Sequence, residues 1–229
     1  MKKPAVVYRY INLSDVDRLQ ELFVDSRLYF PKPGEFNDPF EFKPKRIATN
    51  TAGMDREVVE KYIDPALERA YERICTELDG YGVCCFSESR ANITMWSHYA
   101  ERHAGACVGF DTGNDFFQNL NHVDYDYERH DFDLGNDTPE EIVRKVMLRK
   151  YESWMNEQEW RLLRKPGGES VYIDPSMLTE VIFGDRCPES RRKLVRKLLE
   201  HRNVTFLQAQ VDRYEYKLNI IPCTGQNKR

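Results

Sequence analysis

Two carboxylates and an arginine alternate in a short segment around Trp160. Glu157, Glu159 and Arg161 are separated from one another by single residues. In a β-strand, residues two apart lie on the same face, so these three side chains would project together. Neighbouring carboxylates raise each other's pKa and an arginine beside them opposes that shift, so the cluster could orient sugar hydroxyls or act as a base. The alternative is a solvated strand face with a surface ion pair, and the spacing alone favours that alternative.

Polar groups also stand between aromatic residues near the N-terminus. Arg9 is flanked by two tyrosines in a segment rich in β-forming residues, where an unpaired charge would be costly to desolvate. Its position predicts either a ligand-binding arginine or a structural salt bridge to Asp38 or Glu41. Residues 36–41 place asparagine, aspartate and glutamate between two phenylalanines. Their composition is more typical of a tight turn than of a site.

Composition and missing motifs exclude several classes of function. The 229 residues include 34 Lys and Arg against 38 Asp and Glu, so the formal charge of −4 excludes a protein that coats nucleic acid through overall positive charge. The sequence contains no phosphate-binding Gly-Lys loop, no dinucleotide Gly-x-Gly-x-x-Gly, no His-Glu-x-x-His and no Gly-x-Ser-x-Gly motif. Its six cysteines form no Cys-x-x-Cys pair and no spacing demands a metal, which favours a reduced, cytoplasmic setting. No apolar run approaches the roughly 20 residues of a membrane span, so no membrane partner is expected.

A basic segment stands near the C-terminus. Residues 186–202 carry seven Lys or Arg, with Leu194, Val195, Leu198 and Leu199 as the apolar side of a predicted helix. Such a helix usually presents a solvated face, but it is also where an anionic partner such as nucleic acid could dock.

The order of helical and strand-like segments predicts one α+β domain over residues 1–229. A strand over 179–183, a helix over 189–201 and a strand over 204–207 suggest a β-α-β unit. Residues 111–141 hold ten acids against one base. We expect this segment to form an acidic, irregular insertion on the surface.

The motifs taken together resemble those of a family of bacterial proteins grouped as an uncharacterised domain of unknown function. The resemblance extends from about residue 7 to residue 184. This resemblance indicates which family the sequence is similar to, but it does not indicate a reaction. The segments that carry it are Tyr8–Tyr10, Leu28–Pro31, Phe36–Glu41, Cys85–Glu88, Met95–Ala100, Gly109–Asp111, Glu157–Arg161 and Val181–Gly184.

The order of these parts is also similar to that of ADP-ribosyltransferases, particularly toxins that modify nucleic acids. This resemblance implies a split, mixed β-sheet core with surrounding helices. It also implies an NAD-dependent ADP-ribosyltransferase-like toxin or phage-defence effector in the bacterial cytoplasm. NAD would be consumed as a substrate, the acceptor would be a nucleic acid or a protein, and a cognate antitoxin could accompany it.

The same resemblance assigns roles to residues. An arginine on the first strand would hold the dinucleotide, and a glutamate on a late strand would be catalytic. Glu157-Gln158-Glu159 has the Glu-x-Glu form found in part of that superfamily. The catalytic candidates are Glu159 and Glu157, and the candidates for binding NAD are Arg9, Ser87, Tyr99 and Asn37, the last without a clear counterpart in those toxins.

Two other classes of function stay open at this point. A metal-dependent phosphodiesterase or nuclease would use Asp38, Glu41 and Glu88 as oxygen ligands of Mg²⁺ or Mn²⁺. A non-enzymatic, partner-binding module would use the aromatic motifs for its core alone.

Overall fold

The structure is a computed structural model that describes residues 2–45, 53–129 and 136–223. It is a mixed α+β protein built on a large mixed sheet with helices around it, as the sequence predicts. In this part of the chain the strands are β1 (Val6–Ile11), β2 (Arg27–Phe30), β3 (Gly82–Ser87), β4 (Ala106–Asp111), β5 (Asn121–His122), β6 (Asp124–Asp126), β7 (Arg149–Tyr151), β8 (Glu159–Arg164), β9 (Glu169–Tyr172), β10 (Leu178–Phe183), β11 (Thr205–Val211) and β12 (Leu218–Pro222).

The helices lie between these strands and vary in length. The described α-helices are α1 (Val16–Leu19), α2 (Arg56–Val58), α3 (Asp64–Asp79), α4 (Ile93–Tyr99), α5 (Pro139–Met147) and α6 (Glu189–Leu198). A π-helical turn, Gln20–Val24, continues α1, and a second, Val59–Ile63, joins α2 to α3. Among the described residues, none of these helices combines the length and apolar character needed to cross a bilayer.

Eight strands form the main sheet in the order β12-β11-β10-β4-β1-β3-β8-β5. Strands β10 and β11 are parallel and α6 connects them, so the predicted β-α-β unit is confirmed. The described neighbours elsewhere in this sheet are antiparallel. Two small sheets, β2-β9 and β6-β7, lie beside it.

The main sheet separates between β1 and β3. Strand β1 pairs with β4 along its whole length, whereas its described pairing with β3 is limited to Tyr8 opposite Ser87. Farther along β3, the backbone N–H of Val83 donates to the carbonyl of Pro31, just after β2. A gap therefore opens between β1 and β3, and residues after β2 border it.

Part of the acidic segment 111–141 belongs to the core. Phe117 and Val123 are fully buried, and β5 extends the edge of the main sheet by pairing with β8. The expected surface position is wrong for these residues, because a few apolar side chains anchor the segment despite its acidic composition. Residues 130–135 of the expected insertion lie outside the described residues.

Candidate functional site

A cavity of about 210 Å³ lies where β1 and β3 separate. Its wall includes side chains from β1, β3, α4, the start of β8 and the turn at residues 36–42. Every residue that the resemblance assigned to catalysis or NAD binding lines this cavity, which we call the inner cavity. These residues are Arg9, Asn37, Ser87, Tyr99, Glu157 and Glu159.

Arg9 reaches the inner cavity without a carboxylate partner. Its Nη1 atom donates a hydrogen bond to Cys84 Sγ at 3.1 Å, and it forms no ion pair with any described residue. The predicted salt bridge from Arg9 to Asp38 or Glu41 is therefore wrong, because Glu41 pairs with cations on β7 and β8 instead. A half-buried guanidinium without a carboxylate partner can form charge-assisted hydrogen bonds with an anionic ligand.

Arg161 donates hydrogen bonds to both carboxylate oxygens of Glu159. Its Nε and Nη2 atoms donate to the two oxygens of Glu159 at 2.8 and 2.9 Å, and its Nη1 donates to the carbonyl of Met147 at 2.7 Å. Both side chains are buried, at 0% exposure for Arg161 and 5% for Glu159, so a solvated strand face is ruled out. Burial alone would raise the pKa of Glu159, but the charges of Arg161 and Lys150 outweigh it and lower that pKa. Glu159 is thus kept as a carboxylate.

Lys150 on β7 joins the three glutamates of the site. Its Nζ atom lies 2.6 Å from Glu157, 3.2 Å from Glu159 and 3.6 Å from Glu41. Burial disfavours its ammonium, yet these carboxylates raise the pKa of Lys150 above its ordinary value. Sequence reasoning missed this residue, since it stands in the charged run 149–152, which is typical of a surface.

Glu157 does not lie on the strand that carries Glu159. It ends a 3-10 helix, Glu152–Glu157, and Gln158 then takes a left-handed backbone conformation with φ 47° before β8 begins. The prediction of one shared strand face is therefore wrong for Glu157. Even so, this turn aims the Glu157 carboxylate at Lys150 and at Tyr99, whose hydroxyl donates to Glu157 Oε1 at 2.7 Å.

Helix α4 positions Tyr99. The Asn92 side chain caps the helix by accepting from the backbone N–H groups of Thr94 and Met95. Trp96 is fully buried and donates from Nε1 to the carbonyl of Arg90 at 3.0 Å. These contacts fix the helix that delivers Tyr99 to the inner cavity.

Ser87 and Asn37 occupy different parts of the inner cavity. Ser87 lies between Tyr8 and Glu159 in one row across three strands, and its hydroxyl donates to the carbonyl of Glu157 at 2.7 Å. Ser87 therefore secures the turn that carries Glu157. Asn37 is exposed and borders both the inner cavity and a second cleft.

Glu41 belongs to a buried cluster in which carboxylates outnumber cations by three to two. Its Oε1 atom makes a close ion pair with Arg161, whereas Oε2 is buried and has no hydrogen-bond partner among the described residues. Burial raises the pKa of Glu41 despite the opposing charges of Arg161 and Lys150. We call these five residues the buried cluster: three carboxylates at 41, 157 and 159 and two cations at 150 and 161.

Two clefts adjoin the inner cavity on different sides. A cleft of about 300 Å³, the arginine cleft, shares Arg9 with the inner cavity and is also lined by Arg18 and Arg27. A larger cleft of about 660 Å³, the outer groove, shares Asn37, Glu41 and Lys150 with it. A ligand longer than the inner cavity thus has room to extend on either side.

The carboxylates considered as metal ligands are not brought together. Glu41 pairs with Arg161 and Lys150, while Glu88 accepts a hydrogen bond from Trp160 Nε1 at 3.2 Å and lines none of these three cavities. Within the ranges that the structure describes, no three His, Cys, Asp or Glu residues are grouped as metal ligands would be. The set Asp38, Glu41 and Glu88 is therefore wrong as a ligand set.

Several cations of α6 are engaged within the protein. Arg191 pairs with Glu101, Arg192 donates to Gln208 Oε1 at 2.8 Å, and the guanidinium of Arg196 lies over the rings of Phe183 and Phe206. None of these residues lines the inner cavity, the arginine cleft or the outer groove.

Comparison with known proteins matches part of the chain to a family model. Residues 95–162 match the model of a family described as a protein of unknown function (DUF2971). No curated protein and no solved structure matches the chain. The matched segment contains Tyr99, Lys150, Glu157, Glu159 and Arg161. Over residues 95–162 the match confirms the predicted resemblance to an uncharacterised domain-of-unknown-function family; the rest of the predicted span, from about residue 7 to residue 184, stays a prediction.

Proposed function

We propose that this protein is an NAD-consuming enzyme of the ADP-ribosyltransferase type. One observation carries the proposal: a single cavity presents an arginine without a carboxylate partner together with a carboxylate-rich cluster. NAD joins an anionic diphosphate to a cationic nicotinamide riboside, so it matches both parts of this wall. The separation of the sheet between β1 and β3 supports the split core that the ADP-ribosyltransferase resemblance implies.

Arg9 fits the diphosphate. Arg9 lines both the inner cavity and the arginine cleft, where Arg18 is a second cation that also lies 3.7 Å from Glu21. Arginine binds phosphate oxygens through charge-assisted hydrogen bonds. The nicotinamide riboside then occupies the inner cavity, and the adenosine end extends into the arginine cleft.

Glu159 fits the reacting sugar. Cleavage of the bond between C1′ and the nicotinamide nitrogen passes through a transition state with oxocarbenium character, as in glycoside hydrolysis. Nicotinamide leaves as a neutral molecule, so its departure requires no strong acid. A glutamate kept ionised by Arg161 and Lys150 stabilises the positive charge that develops on the ribose. Glu157 orients Tyr99 and Lys150 around the same sugar.

The outer groove offers a route for the acceptor. It meets the inner cavity on the side of Asn37, Glu41 and Lys150, away from the arginine cleft. In this proposal the protein acts in the bacterial cytoplasm as a toxin or defence effector on a nucleic-acid or protein acceptor. A cognate antitoxin would act by covering these cavities.

Release of nicotinamide from NAD tests the proposal. Wild-type protein is expected to release nicotinamide from labelled NAD, and Glu159→Gln to be slower by about 10²-fold or more, because one charge-stabilising group is lost. Glu88→Gln is the matched control, since it is the same change at an exposed residue outside the cavities. Absence of release by the wild type, or equal rates for wild type and Glu159→Gln, would contradict the proposal.

Arg9→Met is expected to weaken NAD binding by about tenfold or more, which is the loss of one charge-assisted hydrogen bond. The free energy of unfolding is expected to change little, because Arg9 forms no ion pair with a described residue. Calorimetric titration with NAD and urea unfolding measure the two quantities. Unchanged affinity would remove Arg9 from the binding site.

A further inference from the structure

Glu41 lies where two cavities share a wall. It lines the inner cavity, which holds the reacting sugar in the proposed function, and also the outer groove, by which an acceptor would enter. Its side chain is only 1% exposed, and it projects from the turn at residues 36–42. Glu41 forms this shared wall together with Asn37 and Lys150.

The two oxygens of Glu41 have different surroundings. Oε1 contacts Arg161 and lies 3.6 Å from Lys150 Nζ, whereas Oε2 is buried without a hydrogen-bond partner among the described residues. Buried polar atoms in proteins are nearly always hydrogen-bonded. A buried oxygen without a partner, on a residue that lines two cavities, therefore indicates a donor that the described protein atoms do not supply. A hydroxyl or amine of a bound acceptor is such a donor.

The other two carboxylates of the buried cluster are already occupied. Arg161 donates to both oxygens of Glu159, and Glu157 accepts from Tyr99 on one oxygen and from Lys150 on the other. With three carboxylates against two cations, the buried cluster also has one negative charge in excess. A proton arriving with the acceptor balances that charge, and the raised pKa of Glu41 favours its binding there.

We propose that Glu41 is the base that removes the proton from the attacking group. This inference rests on the proposed function. The attacking oxygen or nitrogen forms a bond to C1′ of the ribose while the bond from C1′ to nicotinamide breaks. The electron pair of the broken bond goes to the nicotinamide nitrogen, and the proton of the attacking group goes to Glu41. Glu159 stabilises the sugar and stays ionised throughout.

Azide distinguishes proton removal by Glu41 from charge stabilisation by Glu159, because azide is a nucleophile that carries no proton. With water as the acceptor, Glu41→Gln is expected to release nicotinamide about 10²-fold more slowly than wild type. Sodium azide is expected to restore nicotinamide release and to give ADP-ribosyl azide. In Glu159→Gln, azide is expected to restore nothing, because the developing charge on the sugar is still unsupported. Both variants leave two carboxylates and two cations in the buried cluster and therefore form a matched pair.

The possible results distinguish the role of Glu41 from the proposed function. The proposal is supported if azide restores nicotinamide release in Glu41→Gln but not in Glu159→Gln. A wild-type rate in Glu41→Gln, or a slow rate that azide leaves unchanged while circular dichroism shows a folded protein, overturns it and leaves the proposed function standing. No nicotinamide release by the wild type overturns both. If Glu41→Gln does not fold, Glu41→Asp decides instead: a rate at least about tenfold lower that azide raises supports the role, and an unchanged rate overturns it.

Discussion

Replacing Lys150 with methionine is expected to lower the free energy of unfolding by about 3–5 kcal/mol, since removing one partner of a buried ion pair leaves charge uncompensated. Lys150 lies within 4 Å of all three carboxylates of the buried cluster and is 7% exposed. Methionine has a similar length and fills much of the same space. The loss would therefore report the charge rather than a cavity, and urea unfolding measures it.

Lys145→Met is the matched control for Lys150→Met. Lys145 forms an ion pair of 2.7 Å with Asp137, but its side chain is 37% exposed. Asp137 is 14% exposed, but water reaches the Lys145 ammonium and screens the pair, so the expected loss is smaller than at Lys150, about 1 kcal/mol. Similar losses at the two lysines would show that the buried cluster does not depend on Lys150.

Replacing Arg161 with methionine is a separate change, and it is also expected to lower the free energy of unfolding by about 3–5 kcal/mol. Arg161 is fully buried, contacts Glu41 and Glu159, and donates to the carbonyl of Met147. Its removal leaves Lys150 as the only cation of the buried cluster against three carboxylates. Adding Glu41→Gln removes one of those charges, so the double variant is expected to be about 1–2 kcal/mol more stable than the sum of the single losses predicts.

Thermal or urea unfolding of the four proteins in this cycle measures that coupling. Glu88→Gln replaces Glu41→Gln in the control cycle, since Glu88 contacts Trp160 and lies outside the buried cluster. The control cycle is expected to be additive within about 0.5 kcal/mol. Additivity in both cycles would mean that Glu41 and Arg161 are not energetically coupled.

Features of the fold that depend on local patterns could be predicted from the sequence. Apolar strands on either side of an amphipathic helix predict the β10-α6-β11 unit, because the connection between neighbouring parallel strands needs a helix of this kind. The position of the segment 111–141 could not be predicted from charge. Its few apolar residues, such as Phe117, determine which part enters the core.

The residues of the site also include some that could be predicted from the sequence and others that could not. The resemblance named Arg9, Tyr99 and Glu159, and they line one cavity. The surroundings of Glu159 could not be predicted, because they come from Lys150 on another strand and from Glu41, which is 120 positions from Arg161. Spacing two apart in a strand indicates a shared face, but only the tertiary structure shows whether that face meets solvent.

The strand order has a consequence for synthesis on the ribosome. Among the described strands, β1 is synthesised before the others. It lies between β4 and β3, and its main partner β4 emerges only after α2, α3 and α4. Glu159 emerges later still, on a strand that must dock against β3. Contacts so distant in sequence form slowly because long loops must close first. A nascent chain from which β8 has not yet emerged would therefore lack Glu159 and Arg161 and could not assemble the buried cluster.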